Sequence, residues 1–204
     1  MPESSNLISS NAPGDETGLE DLGRRLYEQA LVRRADERIT DPRGQEIGWL
    51  LDTRVPMLDA ELFSEVGRVL ADRLAQRGLH QVAGFGFGSY ALVGAVLAEA
   101  EPGVRGGYVR PERKEYGRQR LVEGPLRRDR PVVLLDDILN SGRSAMRAVT
   151  LLRAAGYEVA GLQTLFRYTW SNGASRLGME GLWVDALLDL NLRAGDGAAG
   201  SDSR

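Results

Sequence analysis

The chain has 204 residues, 42% of them hydrophobic and 27% charged, with a formal net charge of −3. That is enough for one domain with a sizeable core; no apolar run approaches a membrane span, and the acidic balance argues against nucleic-acid binding. With no cysteine and a single histidine, His80, disulfides, thiol catalysis and cysteine- or histidine-rich metal sites are excluded.

Residues 1–16 are rich in Ser, Asn, Pro, Gly and acids, and are expected to form a disordered tail without a signal peptide. A folded domain is expected over 17–192 and a second disordered tail over 193–204. Thr17 and Glu20 suit a capping box opening a helix with Leu19, Leu22 and Leu26 on one face. Ile47 to Arg54 reads as a short strand ending in a polar turn. Asp59 caps a helix carrying Leu62, Val66, Leu70 and Leu74, with Gly78 just past its end. His80 stands before a strand over Val82 to Phe87 and reads as structural. Ser89 is expected to cap the next helix, which runs through Leu97, and Val104 to Val109 forms another strand. Residues 110–120 carry seven charged side chains and little to bury, and so read as a long mobile loop. A strand over Val132 to Leu135, a helix with Met146, Val149 and Leu152 ending at Gly156, and a strand over Val159 to Phe166 follow. A short helix near Ala174 to Leu177 and a strand near Leu182 to Leu187 finish the domain. Strands alternating with helices predict an α/β fold with a parallel sheet.

The chemistry concentrates where Val132 to Leu135 run into Asp136 and Asp137, and then into Asn140, Ser141, Gly142, Arg143 and Ser144. A buried apolar strand ending in acids, followed by a small polar loop at a helix start, describes a sugar-phosphate site. The carboxylates can accept from ribose hydroxyls, and the loop amides and the hydroxyls of Ser141 and Ser144 can hold a phosphate. A second glycine-rich turn, with Gly86, Gly88 and Ser89, reads as a further anion loop for pyrophosphate. Arg110, Arg113 and Lys114 lie in the charged loop and form a candidate lid that neutralises a leaving group. Arg167 ends an apolar strand, where it suits either a carboxylate clamp or an ion pair at the sheet edge.

These residues resemble the type I phosphoribosyltransferase family. Val132 to Ser144 looks like its signature for 5-phosphoribosyl-1-pyrophosphate (PRPP). The segments 110–117 and 121–124, Leu51-Asp52-Thr53-Arg54 and Phe166-Arg167 are most similar to the orotate phosphoribosyltransferase branch. The resemblance implies a twisted, mostly parallel sheet flanked by helices, with a small hood built from both ends. It also implies transfer of phosphoribose from PRPP to a nitrogen of a planar, carboxylated acceptor such as orotate, in pyrimidine biosynthesis, with release of pyrophosphate. PRPP would be held by Asp136, Asp137, Ser141, Gly142, Arg143, Ser144, Gly88, Ser89, Arg110 and Lys114. Lys114, Arg110 and Asp137 would be catalytic, and Asn140, Arg167, Leu50 and Leu51 would face the acceptor. Mg²⁺ is implied, held mainly by PRPP and water with Asp136 nearby. A cytoplasmic homodimer sharing the 110–122 loop across its interface is implied, without nucleic-acid or membrane partners. The chain departs from the family at Pro111, Tyr116, Asn140 and Pro42-Arg43-Gly44. Two further readings therefore stay open: a relative using another acceptor in specialised metabolism, and a non-catalytic PRPP-binding regulator.

Overall fold

The structure is a computed structural model describing residues 7–8, 16–40, 44–112 and 120–191. Its elements in chain order are β1 (Leu7–Ile8), α1 (Glu16–Ala30), β2 (Leu31–Arg33), β3 (Trp49–Leu51), a 3-10 turn (Pro56–Leu58), α2 (Ala60–Gln76), β4 (Gln81–Phe85), α3 (Gly88–Glu99), β5 (Arg105–Val109), β6 (Val122–Glu123), β7 (Val132–Leu139), α4 (Arg143–Ala154), β8 (Val159–Tyr168), α5 (Gly173–Gly178) and β9 (Trp183–Leu190). A seven-stranded sheet has the order β1-β9-β8-β7-β4-β5-β6. Strands β9, β8, β7, β4 and β5 are mutually parallel, and β1 and β6 close the two edges antiparallel.

Strand β7 explains why the central run is so apolar. Val133 and Leu135 pack into a core with α1, α2 and α3, while Val132 and Leu134 pack into a second core with α4. A strand covered on both faces loses the alternation of a half-exposed one. Helix α2 starts where expected, with Asp59 Oδ1 accepting from the Glu61 and Leu62 amides at 3.0 and 3.1 Å. Arg73 ties α2 to β9: its Nη1 donates to Asp185 Oδ1 at 2.7 Å and to the Ala186 carbonyl at 3.0 Å. Strands β2 and β3 pair antiparallel as a separate two-stranded sheet. This small sheet is the described part of the hood; residues after 191 lie outside the described set.

Several expectations need correction. Leu7–Ile8 lie within the tail expected to be disordered, yet they pair with Leu190 and Asp189. Helix α1 begins at Glu16, so Thr17 lies within its first turn rather than before it. Helix α3 opens at Gly88 after a helical Phe87, so Ser89 is inside the helix and is not its cap. Strand β7 continues to Leu139, with Ile138 opposite Phe166 and Leu139 opposite Arg167, so the acids sit inside the strand near its end. Val122, placed in the mobile loop, pairs with Val109. Glu16, also placed in the N-terminal tail, opens α1, and the rest of both tails lies outside the described residues.

Candidate active site

Asp137 is gripped from several sides. The Ile138 amide donates to Oδ1 at 3.0 Å, and the Thr53 hydroxyl donates to Oδ2 at 2.5 Å. Gly88 packs so closely that a Cβ there would lie 2.2 Å from Oδ2. The first turn of α3 can approach this carboxylate only because Gly88 has no side chain. Asp136 Oδ1 accepts from the Asp137 amide at 3.0 Å. Burial, and then the neighbouring Asp137 charge, push the Asp136 carboxyl well above the ordinary aspartate range.

The loop after β7 ends at Gly142, whose φ of +70° places it in the left-handed region immediately before α4. A Cβ there would also lie 3.1 Å from Gly173. No side chain caps α4, so its first-turn amides are oriented for an anion. The loop is braced from behind. The Ser171 hydroxyl donates to the Asn140 carbonyl at 2.8 Å, and Arg176 Nε donates to the Ser141 carbonyl at 3.0 Å. Arg143 Nε reaches Ser141 Oγ at 3.4 Å, and Ser144 is exposed on the first turn of α4. Asp136, Asp137, Ser141, Gly142, Arg143 and Ser144, expected to hold PRPP, thus run from the end of β7 into the first turn of α4.

The second anion loop differs in its side chain. The Ser89 hydroxyl is buried and donates to the Gly86 carbonyl at 2.8 Å. Ser89 therefore shapes the turn from inside. Arg110 leaves β5 at the base of the charged loop, where its amide donates to the Leu121 carbonyl at 2.8 Å. Among the described residues, its buried Nε has no hydrogen-bond partner. Arg147 Nη2 donates to the Pro111 carbonyl at 3.3 Å and holds the same stem to α4. Arg113, Lys114 and Tyr116 lie outside the described residues, as do Pro42 and Arg43.

On the acceptor side, Leu50 and Leu51 are half-buried on β3, and Asn140 is exposed beside the phosphate loop. Arg167 is not a free clamp. Its Nε donates to Asp189 Oδ1 at 2.7 Å, and its Nη2 donates to Asp189 Oδ2. The ion-pair reading of Arg167 holds in the structure, with one edge of the guanidinium occupied.

No protein-family model matches the chain. It is 36% identical over 147 residues to an orotate phosphoribosyltransferase of Streptomyces avermitilis, covering 71% of this chain and 79% of that protein. The chain belongs to the orotate phosphoribosyltransferase family. An orotate phosphoribosyltransferase of Corynebacterium glutamicum is 29% identical over 185 residues, 90% of this chain and 97% of that one. Among solved structures, a phosphoribosyltransferase from Corynebacterium diphtheriae superposes with a TM-score of 0.72 at 25% identity, over 85% of this chain and 96% of that one. The orotate phosphoribosyltransferase of Mycobacterium tuberculosis, solved in complex with PRPP, has a TM-score of 0.69 at 23% identity, over 83% and 94%, and shares the fold.

Several members of this family site carry no signal of their own in the sequence. Thr53 reaches Asp137 across 84 positions. Ser171 and Arg176 brace the phosphate loop from α5 and the turn before it. Asp189 occupies Arg167 from the neighbouring strand. A contact formed only by tertiary folding leaves no local pattern to find.

Proposed function

We propose that the chain transfers 5-phosphoribose from PRPP to a ring nitrogen of orotate, releasing pyrophosphate. The observation that carries this is the junction of Asp136 and Asp137 with the uncapped N-terminus of α4, in a chain of the orotate phosphoribosyltransferase family. The acids accept from the ribose hydroxyls. The α4 amides, with Ser141 and Ser144, hold the 5-phosphate. The α3 turn and Arg110 hold the pyrophosphate. As the C1–pyrophosphate bond breaks, the electron pair leaves with pyrophosphate, and the ring gains oxocarbenium character that the carboxylates stabilise. The acceptor nitrogen then forms the new bond to C1 and gives up its proton to the departing pyrophosphate or to water. By the family resemblance, Lys114 would add to the positive charge that stabilises the departing pyrophosphate.

Among the described residues no three His, Cys, Asp or Glu side chains cluster to hold a metal. Two adjacent carboxylates followed by a small polar loop suit Mg²⁺ that would be held mainly by PRPP and water, in the neighbourhood of Asp136. Bound there, Mg²⁺ would neutralise charge on the leaving group. A homodimer sharing the 110–122 loop and a cytoplasmic setting accompany this reading. Both rest on the family resemblance, and no helix among the described residues is long and apolar enough to cross a membrane.

One observation favours a second reading, in which the acceptor lacks a carboxylate: Asp189 already occupies one edge of Arg167. Thermal melting with PRPP and Mg²⁺ separates the two. Orotate should raise the melting temperature further in their presence. A rise with uracil and none with orotate would replace the first reading by the second.

A further inference from the structure

The strongest unexplained contact joins the hood to the ribose acids. Thr53 is only 3% exposed, and its hydroxyl donates to Asp137 Oδ2 at 2.5 Å. The turn that carries it is stiffly built. Asp52 donates its amide to the Ala30 carbonyl at 2.7 Å, and its carbonyl accepts from the Val55 amide at 3.2 Å. Arg54 clasps the Asp52 carboxylate through Nε and Nη2, both at 2.6 Å, and through its own amide at 3.1 Å. The Arg54 guanidinium holds the Asp52 carboxyl below the ordinary range, which keeps that clasp charged. Thr53 therefore sits on a fixed platform between the hood strand β3 and the 3-10 turn. Gly88 meets the same carboxylate.

On the basis of the phosphoribosyl-transfer reading, we infer that Thr53 is a positioning residue that locks the Asp137 carboxylate for the ribose hydroxyls. The hydroxyl acts as a clamp from the hood, and Gly88 acts as a stop from α3. A carboxylate oxygen has more than one acceptor direction, so the Thr53 bond fixes Asp137 without using up its capacity for substrate. The hood thereby acts on the reaction centre through Asp137 as well as by covering an acceptor. Thr53 touches no substrate in this account, and its effect is transmitted by orientation.

The test compares Thr53→Val, which keeps the shape and removes the hydroxyl, with Thr53→Ser, which keeps the hydroxyl and removes the methyl. PRPP affinity is read by calorimetry with Mg²⁺, and kcat and KM are read with orotate. Thr53→Val should bind PRPP about tenfold more weakly and lose about ten- to a hundredfold in kcat, as expected when a reacting group loses its alignment. The KM for orotate should change far less, and Thr53→Ser should recover most of the loss. A folded Thr53→Val with PRPP affinity and kcat like the wild type overturns the inference. So does a Thr53→Ser as impaired as Thr53→Val, because methyl packing would then be the cause. Wild-type protein that binds PRPP but never converts orotate refutes the acceptor assignment instead, and the PRPP affinities of the two variants still decide the role of Thr53.

Discussion

Arg167 and Asp189 face each other on adjacent parallel strands and form a two-pronged ion pair, in which the aspartate is buried and the guanidinium is partly exposed. Removing one member leaves the other mispaired, and the buried member is the costly one to strand. Arg167→Met should therefore destabilise the fold by about 2 kcal/mol, discounted for the exposure of Arg167. Arg167→Met combined with Asp189→Leu should recover much of that loss. Urea unfolding of the three proteins provides the double-mutant cycle. Strict additivity would show that the pair contributes no coupling.

Gly88 leaves no room for a side chain beside Asp137. Gly88→Ala must move either the α3 turn or the carboxylate. The expected result is a loss of about a hundredfold in PRPP turnover, the scale of a misplacement near 1 Å, with the far-ultraviolet circular dichroism retained. Turnover within twofold of wild type would mean that the Asp137 position is not critical.

The raised proton affinity of Asp136 has a consequence for stability. The folded state holds this proton more tightly than the unfolded chain does. Stability from the group is complete below the ordinary value of 3.8 and is lost as pH rises through the higher folded value. Above that value the fold carries a half-buried charge next to Asp137. Asp136→Asn should therefore melt higher than wild type near neutral pH, and the advantage should vanish as pH falls below about 4. Melting curves across pH check this. A variant that melts lower at neutral pH would contradict it. The same substitution should impair PRPP binding, an exchange of stability for function.

Arg73 is buried against Asp185, and among the described residues its Nη2 has no hydrogen-bond partner. Asp185→Ala would leave that charge without its counterion and should destabilise by about 3 kcal/mol. Denaturant titration measures the loss, and a change below about 1 kcal/mol would show that Arg77 or solvent compensates.

The periodic helices were readable because their signals are local. Asp59, the Leu62 to Leu74 spacing and Gly78 all fall within one helix. Strands β1, β2 and β6 were not anticipated, because two- and three-residue strands have no periodicity and exist only through their partners. The apolar run of β7 stops at Leu135, where the acids break it, while the backbone pairing continues to Leu139. Ser89 has the composition of a cap, but Phe87 is already helical and the hydroxyl turns inward to Gly86. At the site, Asp136, Asp137 and the Gly142 loop were legible because acids, small residues and a helix start are contiguous. Thr53 and Asp189 were not, because each meets its partner from a distant segment.

The central claim is tested most directly by following PRPP, Mg²⁺ and orotate together with purified protein. Phosphoribosyl transfer predicts one pyrophosphate released and one phosphoribosyl-orotate formed for each orotate consumed, with no sustained release when orotate is omitted. PRPP binding without pyrophosphate release, or release that does not depend on orotate, would contradict it.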